Sequence, residues 1–181
     1  MNSNISVPKC LSALVPFLLC AFVPLCLCAF IFSSCDKENK SNLNVEAISF
    51  SLPAVDSVQY NLEDYRGKIV LLHFWADWCP RCRQEFARLQ KVNDELKGRG
   101  LQILAINVGQ TKEHVLELKQ EYRLSFPLLL DQKKEIAEKY GVKGLPTSLF
   151  IDKKGMIQAK EIGWLSAEQV QSIFEKMLAE N

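Results

Sequence analysis

Two cysteines three residues apart sit where this chain changes its apolar period, and that junction limits the fold more than any other feature. The segment His73-Phe-Trp-Ala-Asp-Trp-Cys-Pro-Arg-Cys-Arg-Gln-Glu85 holds Cys79 and Cys82. Ahead of it, Ile69 to Phe74 is a nearly continuous apolar run, the pattern of a strand covered on both faces. Behind it, Pro80 suits the first turn of a helix, and Phe86, Leu89, Val92 and Leu96 recur at helical spacing. A cysteine at a helix start meets the partial positive charge of unpaired amides, which favours its thiolate. Cys79 is therefore the attacking thiol. Cys82, one turn on along the same face, is placed to resolve a mixed disulfide between Cys79 and a substrate.

Two other readings of the pair are a zinc half-site and a static disulfide. A structural zinc site needs four ligands, and beyond the pair the soluble part offers His73 and His114 but no second cysteine pair. A disulfide joining residues three apart closes too short a loop to constrain the unfolded chain much. A Cys-x-x-Cys between strand and helix favours redox chemistry, with the dithiol as the redox group and no metal or other cofactor. Trp75 and Trp78 read as packing and shielding residues around it, since no nucleotide or haem-attachment motif accompanies them.

The other five of the seven cysteines lie within the first 35 residues. Cys10 to Phe32 carries no charge and is long enough to cross a bilayer, although Pro16 and Pro24 interrupt it. With Lys9 before it and Phe32-Ser-Ser-Cys35 after it, residues 1–35 read as a secretory leader. The end resembles a bacterial lipobox, which implies lipidation of Cys35; Phe32 departs from the leucine usual three residues before that cysteine. The alternative is an uncleaved signal anchor. Both place the domain outside the cytoplasm, on the periplasmic side, tethered to a membrane. Lys9 is the one charged residue before position 36, so the 21 acidic residues are balanced downstream and the soluble part is formally neutral. Without a basic cluster, nucleic acid is excluded as a partner.

Residues 36–44 are polar and read as a flexible tether, and 45–181 as one domain. Phe50–Val55 and Val58–Leu62 suggest a hairpin turning at Asp56-Ser57, with Pro53 on an edge. Ile69–Trp75 should be the central strand, followed by a helix ended by Gly98 and Gly100. Leu101–Val108 is a strand. Thr111 can cap a helix bearing Val115, Leu118 and Tyr122. Phe126–Leu130 returns as a strand, and Asp131–Tyr140 is a short helix. Thr147–Asp152 and Met156–Ile162 form a last hairpin, and Ser166 with Gln169 makes a capping box for a C-terminal amphipathic helix. The alternation predicts an α/β domain with a mixed sheet flanked by helices.

Phe74-Trp-Ala-Asp-Trp-Cys-Pro-Arg-Cys82 resembles the active site of thioredoxin-fold proteins. Together with Glu85, the Asn107-Val-Gly109 segment, an added central helix before Phe126-Pro127, and Gly144-Leu-Pro-Thr147, it resembles the membrane-tethered TlpA/ResA-type thiol-disulfide oxidoreductases over residues 45–178. The resemblance implies a reductant of exported disulfide-containing proteins, in several systems apocytochrome c, kept reduced by a membrane thiol donor. It also implies that Pro146 is a cis proline facing Cys79, that the backbone of Leu145 pairs with substrate beside Trp78, and that Glu85 shuttles protons for the dithiol. By the residues alone, Gly144-Leu-Pro reads equally as a turn, and Glu85 as a solvated carboxylate.

Two departures stand out. His73 occupies the strand position where thioredoxins carry a buried acid and this subfamily often has asparagine; it is either a hydrogen-bonded core residue or a proton relay. Gln110 replaces an acidic residue of some relatives. Arg81, between the cysteines, either stabilises a thiolate and pushes the couple toward oxidation or is a solvated side chain. The leading function is a protein-disulfide reductase; a disulfide-forming oxidase is the alternative. Peroxide reduction is disfavoured, because Ala76 replaces the hydroxyl residue usual three before the reactive cysteine. A redox-inert binding module stands as the reading from another class.

Overall fold

A computed structural model of the chain describes residues 43–180. The leader, the lipobox with Cys35, and nearly all of the tether lie outside the described residues.

In chain order the elements are β1 (Val45–Glu46), β2 (Ser51–Pro53), β3 (Gln59–Asn61), β4 (Ile69–Trp75), α1 (Pro80–Leu96), β5 (Leu101–Val108) and α2 (Lys112–Glu121). They continue with β6 (Leu128–Asp131), α3 (Glu135–Lys139), β7 (Thr147–Ile151), β8 (Met156–Ile162) and α4 (Ala167–Ala179). A six-stranded sheet runs β1-β8-β7-β4-β5-β6. β4, β5 and β6 are parallel, while β7 is antiparallel to both β4 and β8. The mixed sheet and flanking helices are those of a thioredoxin-like fold.

β4 is central because it can be covered on both faces: every one of its residues is buried. Strand alternation divides them. Ile69, Leu71 and Trp75 pack with Phe86, Leu89 and Val92 of α1 and Phe174 of α4. Val70, Leu72 and Phe74 pack on the other side with Ile136 of α3, Tyr140 and Phe50. His73 shares the parity of Ile69 and Leu71, so it faces the α1 side. That placement brings it to the site.

The expected hairpin forms as β2 paired with β3, and Ala54 bridges to Leu129, which docks it against edge strand β6. Its strands are shorter than the apolar pattern suggests, and Leu62–Tyr65 closes into a 3-10 turn. β1, which the sequence did not reveal, caps the other edge through two residues paired with β8. β6 begins at Leu128 because Pro127 has no N–H to give the ladder; its carbonyl accepts from Ala105 N. The helix expected from Asp131 starts later, at Glu135. Lys134 adopts φ 63°, and the buried Asp131 carboxylate accepts the Ala137 N–H at 2.8 Å, so Asp131 caps the helix instead of joining it. Thr111 occupies the N-cap of α2 but its side chain makes no cap bond. The capping box of α4 has both of its hydrogen bonds.

Candidate active site

The C-terminal end of β4 delivers Trp75, then a short turn, then Cys79 as the N-cap residue of α1. Pro80 follows at the first helical position, where a missing N–H costs nothing. Cys79 and Cys82 are joined as a disulfide with Cα atoms 5.4 Å apart, and Cys79 Sγ accepts the Cys82 N–H at 3.3 Å. Cys79 is 6% exposed and Cys82 is fully buried, so Cys79 is the more accessible of the two.

The turn before the dithiol is braced from β5. Gln110 Oε1 accepts the Asp77 N–H and the Asn107 side-chain N–H, each at 2.7 Å. Asp77 in turn binds His114 Nε2 of α2 at 2.7 Å and approaches Arg83 of α1 at 3.4 Å. From the sequence, His114 is a spare zinc ligand and Gln110 a replacement for an acidic residue. Residue spacing carries no signal that would pair either with the turn. Among the described residues no group of three or more His, Cys, Asp or Glu side chains converges as a metal site would need.

The two tryptophans have different surroundings. Trp75 is buried and meets Phe86 edge-on, ring centres 4.7 Å apart, whereas Trp78 is 70% exposed beside Cys79. Packing therefore describes Trp75, while the Trp78 ring is largely open to solvent next to the disulfide. The Leu145-Pro146 bond is cis. Thr147, the next residue, stands opposite Phe74 in the β4–β7 register, which brings Leu145-Pro146 to the same sheet end as the dithiol. Ile162, the last residue of β8, pairs with Thr147, and both it and Trp164 just beyond the strand are exposed. Arg88 of α1 stacks on Trp164 at 3.3 Å. Arg81 is exposed.

Beneath the dithiol the helix turns a carboxylate inward. Glu85 lies three residues after Cys82 on the buried face of α1, 1% exposed, so it is no solvated surface acid. Its Oε1 accepts the Leu165 N–H at 2.7 Å, and its Oε2 lies 3.6 Å from His73 Nε2. Burial pushes the Glu85 carboxyl up from its ordinary value, against the opposing pull of the Leu165 N–H and of Arg88. His73 is fully buried, with Nδ1 3.0 Å from Ser148 Oγ, and burial drives its imidazole down to about 4. A neutral histidine and a carboxyl that resists ionisation thus lie behind the disulfide.

The AhpC/TSA family model matches residues 43–160. The thiol-disulfide oxidoreductase ResA of Geobacillus thermodenitrificans is 33% identical over 131 residues, covering 72% of this chain and 75% of that protein. Among solved structures, StoA from Bacillus subtilis superposes with a TM-score of 0.62 at 28% identity, over 71% of this chain and 97% of that one. The exposed lipoprotein thioredoxin of Streptococcus pneumoniae gives 0.65 at 28% identity, over 71% and 99%. With a dithiol at the start of a helix, a cis proline at the same sheet end and this similarity throughout the domain, the chain belongs to the AhpC/TSA family and, within it, to the ResA-like thiol-disulfide oxidoreductases.

Proposed function

We propose that this protein is a membrane-tethered reductant of disulfides in exported proteins, acting outside the cytoplasm, with the haem-attachment cysteines of apocytochrome c among its targets. The observation that carries the direction of electron flow is the buried Glu85 carboxyl behind the dithiol. A carboxylate there works against a neighbouring thiolate, and a couple whose reduced form lacks thiolate stabilisation is a reductant, not an oxidant. Arg81 pulls the other way, but it is exposed and screened, so the buried group dominates.

In the reaction the Cys79 thiolate attacks a substrate disulfide. A bond forms between Cys79 and one substrate sulfur, and the other leaves as a thiolate that takes up a proton. The Cys82 thiolate then attacks Cys79 Sγ, forming the Cys79–Cys82 disulfide and releasing the second substrate thiol; two electrons have passed to the substrate. A membrane thiol donor restores the dithiol by the same exchange in reverse. Trp78 and the backbone of Leu145, beside Pro146, hold the extended substrate, and Glu85 moderates the protonation of the thiols. The lipid on Cys35, or an uncleaved leader, supplies the tether; likeness to an exposed lipoprotein thioredoxin supports that placement.

Replacing Cys82 by serine leaves Cys79 unable to be resolved. The expected result is a mixed disulfide through Cys79 with an exported protein, seen on non-reducing gels and lost in Cys79→Ser. A reduction potential of about −270 mV supports the reductant, whereas one of about −120 mV makes the protein an oxidase.

A further inference from the structure

His73 and Glu85 each turn toward the other a polar atom that lacks a hydrogen bond. His73 Nε2 and Glu85 Oε2 are buried, unpartnered and 3.6 Å apart. The remaining atoms of both groups are anchored: Glu85 Oε1 on the Leu165 N–H at 2.7 Å, and His73 Nδ1 beside Ser148 Oγ at 3.0 Å. The register sets Ser148 directly opposite His73 across β4 and β7, so the ring is fixed by its neighbouring strand. Two buried polar atoms left unsatisfied carry their full desolvation penalty, and a proton placed between them satisfies both.

We propose that His73 and Glu85 share one proton across Nε2 and Oε2, and that this pair, not Glu85 alone, exchanges a proton with the Cys82 sulfur. The proposal rests on the reading of Cys79 and Cys82 as an exchanging dithiol. When a donor thiolate bonds to Cys79, the Cys79–Cys82 bond breaks and its electron pair goes to the Cys82 sulfur. The proton then moves from the pair to that thiolate, and the pair passes from neutral to one negative charge. When Cys82 later attacks Cys79, its proton returns to the pair. The proton cycles within the core and no buried thiolate persists.

Burial supports the pair as the unit of charge. It drives the imidazole down and the carboxyl up, so each disfavours its own charged form, while one proton between them leaves the pair neutral overall. Ser148 suits both states, since its hydroxyl accepts from an Nδ1–H or donates to a bare Nδ1. With the proton held, the ring carries Nδ1–H and Ser148 accepts; once it is given up, the one remaining ring proton shifts from Nδ1 to Nε2, facing the carboxylate, and Ser148 donates to the bare Nδ1. The surroundings are sparse in charge. Arg88 on α1 acts on Glu85, Glu161 of β8 stands in register with Ser148, and α1 adds the two cysteines. β5 contributes Ala105 opposite His73, and the segment before α4 contributes the Leu165 N–H.

The test is a pH titration of the full chain, with labelled histidine and glutamate side chains followed by NMR in the disulfide and dithiol forms. The imidazole of His73 and the carboxyl of Glu85 should move together, with common apparent midpoints that change when the disulfide is reduced. His73→Asn should lower the proton affinity of Glu85 about tenfold, roughly one pH unit. Separate midpoints in the unaltered protein, or an unmoved Glu85 in His73→Asn, overturn the sharing. Midpoints indifferent to the redox state overturn the link to Cys82. Should His73→Asn not fold, Ser148→Ala takes its place: both midpoints must shift together. Loss of mixed-disulfide trapping with co-titration intact would refute the exchange function and not the shared proton.

Discussion

Glu85 Oε1 accepts the backbone N–H of Leu165 at 2.7 Å, so the carboxyl group one turn behind Cys82 also fastens the segment that leads into α4. The group is thus structural and titratable at once. Glutamine can keep the Leu165 bond while abolishing the charge, which makes Glu85→Gln the informative replacement.

For stability, the two buried groups have opposite signs. His73 falls from its ordinary 6.5 to about 4 in the fold, so its contribution is complete above pH 6.5 and is lost as pH falls toward 4. Glu85 is raised, so the fold binds its proton more readily than the unfolded chain and gains stability as pH falls through that range. The two slopes offset each other. Glu85→Gln removes the compensation, and the variant should lose up to about 3 kcal/mol between pH 6.5 and 4, a steeper loss than that of the unaltered protein. Urea midpoints across that interval measure this; parallel curves would refute it. At neutral pH the same variant should carry more Cys79 thiolate, read by its rate of alkylation in the reduced protein.

Gln110 accepts two hydrogen bonds that join the turn before Cys79 to β5. Gln110→Ala leaves the Asp77 N–H and the Asn107 side chain without that partner. A loss of about 1–3 kcal/mol is expected, together with faster amide exchange at Asp77. Unchanged exchange there would show that the bracing is dispensable.

Trp78 is 70% exposed, so Trp78→Ala should change stability by no more than about 0.5 kcal/mol. Its effect belongs to recognition: reduction of a protein disulfide should slow more than reduction of a small disulfide. Equal slowing of both would place Trp78 in the exchange chemistry and not in substrate contact.

Arg81 lies between the cysteines and is exposed. Arg81→Ala should make the couple more reducing by only on the order of 10 mV, because solvent and salt screen an exposed charge. Equilibration with glutathione measures it, and a displacement several times larger would mean that Arg81, not the buried carboxyl, sets the potential.

The order of strands and helices, the dithiol at a helix start and the capping box were legible in the sequence because each depends on residues close together in the chain. Local periodicity marks β4 and α1, and Ser166 and Gln169 cap α4 through neighbouring backbone. Where a distant partner decided, the sequence was silent. β1 exists through pairing with β8, α3 begins late because Asp131 turns back to cap it, and Gln110 acquires its role through Asp77. His73 is the clearest instance. Its position in an apolar run shows that it is buried, and strand alternation gives its face, but not what stands there. Only packing α1 against that face and β7 beside β4 brings Glu85 and Ser148 to the two ring nitrogens, since a buried polar group is defined by partners that lie far off in sequence.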